Sequence, residues 1–77
     1  MNKDRLRQIV MVGGKVEELE NELTALCEEE QEYLESVPEN LQSSDRATRA
    51  EEAVASMEEA IDNLQAVVEG IQCIEDA

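Results

Sequence analysis

Seventy-seven residues with twenty acidic and six basic side chains, a formal net charge of −14, no histidine and Tyr33 as the sole aromatic residue allow one small domain, residues 1–77. A field of that sign repels duplex nucleic acid and anionic lipid and favours basic protein surfaces. A core of aliphatic side chains and alanine in a chain this short gives a lone monomer marginal stability, so self-association into a homo-oligomer is expected.

Residues 1–14 form an N-terminal arm that carries half of the basic side chains, Lys3, Arg5 and Arg7, with Lys15 just beyond it. Leu6, Ile9, Val10 and Val12 give the arm an apolar side if it is helical, with Asn2 or Asp4 as the cap. Two consecutive glycines, Gly13 and Gly14, permit a kink, a break or the close approach of another backbone. The arm therefore has two routes, continuing the helix or swinging onto a neighbour. The apolar run Ile9 to Val12 is too short for a signal peptide, and no stretch of about twenty apolar residues is present to span a membrane. A cytoplasmic location is expected.

Helix 1 is expected over 15–36, with Val16, Leu19, Leu23 and Leu26 at three-four spacing and Tyr33 and Val37 continuing the pattern past Glu30. Cys27 and Leu34 run alongside. From Glu17 to Asp45, eleven acidic residues meet no basic one, and like charges three and four apart weaken a helix slightly. Packing must hold this helix, and mild acidification is expected to strengthen it. The turn region, 37–44, is marked by Pro38, which disfavours helix at Val37; Ser43, Ser44 or Asp45 can cap the second helix. Leu41, apolar within a polar loop, is expected to plug the end of the helix pair.

Helix 2 is expected over 45–75. Ala47, Ala50, Val54, Met57, Ile61, Leu64, Val68 and Ile71 alternate spacings of three and four, one stripe of a helix. Beside it, Ala53, Ala60, Val67 and Ile74 recur every seven residues, which makes the apolar face wide enough to meet more than one neighbour. The expected fold is all-α: an antiparallel two-helix hairpin, coiled-coil-like, that assembles into a helical-bundle oligomer. Val54, Met57, Ile61, Leu64, Val68 and Ile71 form its core or oligomer stripe.

Several segments resemble small acidic helical-hairpin proteins encoded by phages and prophages of Firmicutes, a group without a settled activity. They are Glu30-Gln31-Glu32-Tyr33, Pro38-Glu39-Asn40-Leu41-Gln42, Ser44 with Arg46, Glu51-Glu52-Ala53, and the heptad Glu59-Ala60-Ile61-Asp62-Asn63-Leu64. The likeness covers residues 16 to 77 and implies a phage or prophage origin. Small acidic phage proteins include inhibitors of host defence, so an anti-defence role comes with it.

The residues point away from enzymology. There is no histidine, Gly13-Gly14-Lys15 lacks the spacing of a phosphate loop, and the carboxylate clusters lack calcium-loop or di-metal spacing. No cofactor and no metal are expected. Cys27 and Cys73 stand apart and suit free thiols in a reducing compartment. Tyr33, Asn40, Gln42, Arg46 and Arg49 gather near the hairpin tip as candidate ligand or partner contacts. Their plain role is ion pairing of the arginines with nearby glutamates; their sharper role is a nucleotide pocket at subunit junctions, with arginine on phosphate and Tyr33 stacked on a base. The leading functional expectation is a non-enzymatic module that binds, and in an inhibitory role blocks, a basic host protein through its acidic surface. The alternatives are a sponge for a nucleotide signal and a structural component of a phage.

Overall fold

The computed structural model describes residues 1–42 and 44–77. The protein is all-α. Helix α1 spans Lys3–Ser36, a short 3-10 turn spans Glu39–Leu41, and helix α2 spans Asp45–Asp76. The two helices pack against each other along their length in an antiparallel hairpin 60 Å long and 15 Å by 14 Å across.

Of the two routes open to residues 1–14, the structure takes continuation of the helix: α1 runs unbroken through both glycines. Asn2 caps it, its Oδ1 accepting from the Arg5 backbone N–H at 2.7 Å. No glycine adopts positive φ, so backbone freedom is not what position 13 requires. An ideal Cβ there would lie 2.9 Å from Cγ2 of Ile71, whereas at Gly14 it would meet nothing within 4 Å. Gly13 is thus a close-approach residue, and its neighbours Leu6, Ile9 and Val16 are half-buried with it along the last turns of α2.

At the other end, Val37 leaves helical geometry at φ −72° and ψ 126°, its N–H donating to the Leu34 carbonyl, as a residue before proline is driven to do. Ser44 Oγ accepts from the Ala47 N–H at 3.3 Å and caps α2; the capping role considered for Ser43 lies outside the described residues. Leu41 does not plug the helix pair. It is 50 % exposed, because the 3-10 turn closed by Leu41 N–H to Pro38 carbonyl carries it beyond the end of the seam.

The stripe of α2 turned toward α1 is Ala47, Ala50, Val54, Met57, Ile61, Leu64, Val68 and Ile71, all buried or half-buried. On α1 the packed stripe differs from the one expected. It is Leu6, Ile9, Gly13, Val16, Glu20, Leu23, Cys27, Glu30, Leu34 and Val37, again at alternating three and four. Leu19 and Leu26 stay 54 % and 55 % exposed, and Tyr33 also faces outward. The row that does enter the seam holds a glycine, two glutamates and a cysteine, which a hydrophobicity pattern passes over. Small side chains at Gly13, Ala47 and Ala50 let the backbones approach. Among the described residues the buried side chains are few, Cys27, Ala47, Ala50 and Val54, since two helices shield only one stripe each.

Candidate interaction surfaces

Two surfaces of the hairpin carry chemistry. The first is the tip. Glu30 and Tyr33 on α1 and Arg46, Arg49, Ala50 and Ala53 on α2 line one shallow depression of about 380 Å³. Tyr33 and Arg46 also border a neighbouring hollow of about 480 Å³ formed by Val37, Pro38, Leu41 and Ser44. Three of the five candidate contacts, Tyr33, Arg46 and Arg49, therefore come together because they end one helix and begin the next. Asn40 and Gln42 are exposed on the turn and line neither depression. Glu30, half-buried, lines the depression with both arginines, and Asp45 lines the neighbouring hollow with Arg46.

The second surface is the acidic exterior. Glu18, Glu28, Glu29, Glu32 and Glu35 on α1 and Glu51, Glu52, Glu59, Asp62 and Glu69 on α2 are exposed. Along one long side the two helices present polar rows to each other, and Gln31 Nε2 donates to Glu58 Oε1 at 2.9 Å across the seam. No polar side-chain atom among the described residues is buried without a partner. The acids keep their water, which leaves them available to an opposing charge.

Cys27 sits beneath this side. Burial raises its thiol pKa above the ordinary 9.0, and Glu58 and Glu28 push it the same way; a protonated thiol is a poor nucleophile and a poor metal ligand. Cys73, near the C-terminus of α2, is exposed. Among the described residues no group of three or more acidic, cysteine or histidine side chains is placed to hold a metal ion, and no helix is long and apolar enough to cross a membrane.

Sequence reasoning named the tip residues and the second apolar row of α2, Ala53, Ala60, Val67 and Ile74, but missed the matching exposed row of α1. Its signal is the heptad spacing of Val12, Leu19, Leu26 and Tyr33; a single-stripe reading of α1 places Leu19, Leu26 and Tyr33 in the packed stripe and Val12 on the arm. No protein-family model, curated protein or solved structure matches the chain significantly.

Proposed function

We propose that the protein is a non-enzymatic accessory protein of a phage or prophage, acting in the host cytoplasm by occupying a basic surface of a host protein. The observation that carries this reading is the charge density of the rod. A net charge of −14 along 60 Å is about one charge per 4 Å, close to the 3.4 Å spacing of phosphates along one strand of a duplex. A groove built for nucleic acid would meet carboxylates at a familiar spacing on a rigid support, and occupation of that groove would inhibit its owner. The phage origin rests on the resemblance of residues 16 to 77, and the functional unit in this reading is a helical-bundle oligomer that turns its carboxylates outward.

The test is retention of basic nucleic-acid-binding proteins from a bacterial lysate on the immobilised hairpin, at low and high salt and with duplex DNA as competitor. Release by salt and by DNA is the expected outcome. Retention indifferent to both would refute charge mimicry.

The shared depression of Tyr33, Arg46 and Arg49 favours one second reading, a sponge for a nucleotide signal in which the arginines hold phosphate and Tyr33 stacks on a base. Calorimetry with cyclic oligonucleotides decides it, since absence of heat at micromolar protein removes that reading and leaves the acidic surface untouched.

A further inference from the structure

The two long sides of the hairpin are unlike. One is polar, with Gln31 and Glu58 bonded across it and Glu17 near Gln72 and Glu75. On the other, Val12, Leu19, Leu26 and Tyr33 recur every seven residues along α1, beside Ala53, Ala60, Val67 and Ile74 on α2. In an antiparallel helix pair these equivalent rows fall on the same side, in keeping with the depression that Tyr33 and Ala53 share. Leu19, Leu26, Val67 and Ile74 are exposed, and Leu19, Leu23, Leu26 and Leu64, with the acid Glu22, line a largely apolar hollow of about 290 Å³ at mid-length. Neither row contains any of the twenty acidic residues. On α2 the next row outward, Arg49, Ser56, Asn63 and Gly70, contains no acid either. Together the two rows make a second three-four stripe on α2, separate from the stripe that faces α1.

We propose that this face binds a second copy of the chain, tip against open end, to form a closed four-helix bundle with α1 on α1 and α2 on α2. The self-association rests on the proposed function; the face and the orientation go beyond it. A face 60 Å by 14 Å is on the order of 800 Å² per copy, the size of a standard stable interface. Two rods of charge −14 approach most closely where each presents the fewest carboxylates; the two apolar rows hold none, with Glu22 and Glu30 beside them, and a two-fold axis sets this face on itself.

The axis has a natural place. Gly13 beside Ile71 fixes the hairpin register. In that register the midpoint of the α1 row, between Leu19 and Leu26, lies within about two residues, roughly 3 Å along the axis, of the midpoint of the α2 row, between Ala60 and Val67. One axis therefore serves both seams. It sets Leu19 against Leu26 and Val12 against Tyr33 of the second copy, and the small Ala60 and Ala53 against Val67 and Ile74. Charge selects the orientation. Residues 28–53 hold nine acids against Arg46 and Arg49, whereas at the open end Lys3, Arg5, Arg7 and Lys15 balance Asp4, Glu69, Glu75 and Asp76. Tips laid together would repel; tip against open end pairs the acidic end with the balanced one and sets Lys15 near Glu29 of the second copy.

The experiment combines light scattering with a cross-link placed near the axis. In a Cys73→Ser background, Asn63→Cys lies close to its own counterpart only in the tip-to-open-end arrangement, so oxidation should convert most of the protein to a covalent dimer with helicity unchanged. Leu26→Glu, on the exposed row, should halve the mass and keep the hairpin helical. Failure of the cross-link in a dimeric wild type overturns the orientation, and a Leu26→Glu variant that remains dimeric overturns the face. Both results leave self-association standing. A monomeric wild type across micromolar concentrations removes self-association altogether, and a mass above two copies overturns the closed pair. Should Leu26→Glu unfold, the cross-link alone decides.

Discussion

Gly13 lies directly beneath Ile71, so near that a methyl group at position 13 would come within 2.9 Å of the Ile71 Cγ2. Ile71 is β-branched and held to one preferred rotamer on its helix, so it yields with difficulty. The adjacent Gly14 faces open space. Gly14→Ala should therefore gain up to about 1 kcal/mol from helix propensity alone. Gly13→Ala should fall short of that gain by about 1–3 kcal/mol, the usual cost of an overpacked contact. Urea unfolding followed by circular dichroism separates the two, and equal gains would mean that the helices do not meet at this point.

The same contact explains how much of the fold was legible in the sequence. In α2 the three-four stripe from Ala47 to Ile71 is apolar throughout, and it is the stripe that packs. In α1 two stripes compete. Val16, Leu19, Leu23 and Leu26 form the more apolar one, yet the seam takes Val16, Glu20, Leu23 and Cys27. The side of α1 that accepts α2 closely includes Gly13, a residue that apolar periodicity counts as a break. The side chains left out, Leu19, Leu26 and Tyr33, then become surface. At the tip, sequence proximity was enough to bring Tyr33, Arg46 and Arg49 together, because a helix end and a helix start separated by one turn have little choice. Asn40 and Gln42 were named on the same ground and face solvent, since a 3-10 turn points successive side chains in different directions.

The two thiols should behave as opposites. Cys27 is 4 % exposed and Cys73 is on the surface, so an aromatic disulfide reagent should modify Cys73 at once and Cys27 only as the hairpin opens. Cys73→Ser should abolish the fast phase.

The raised pKa of Cys27 also gives stability a pH dependence. The native state favours the protonated thiol, a contribution fully present below the unfolded-state pKa and lost as pH rises through the higher folded value. Stability should fall on going above the ordinary thiol value of 9.0, and Cys27→Val should flatten that alkaline limb. An unchanged limb in the variant would assign the loss to other groups.

Salt should move two properties in opposite directions. Self-repulsion among the carboxylates of a −14 rod weakens as ions screen it, so the melting temperature should rise with sodium chloride. Binding to a basic surface should weaken over the same range. A melting temperature that falls with salt would show that attractive pairs, rather than repulsion, dominate the exterior.

The packed stripe of α2 gives the sharpest contrast between neighbouring positions. Ile61 and Leu64 are half-buried against α1, while Glu59, two residues earlier, is exposed. Ile61→Asp or Leu64→Asp replaces apolar contact with a charge that finds no partner in the seam, and each should cost more than about 3 kcal/mol. In a hairpin whose buried set is as small as Cys27, Ala47, Ala50 and Val54, a loss of that size unfolds the chain, and the helical signal should collapse. Glu59→Gln removes one charge from a crowded surface and should change stability by less than about 0.5 kcal/mol. Retention of full helicity in both aspartate variants would mean that α2 packs on a different stripe. The exposed rows, the register set at Gly13 and the docking face derived from them would then all have to be reassigned.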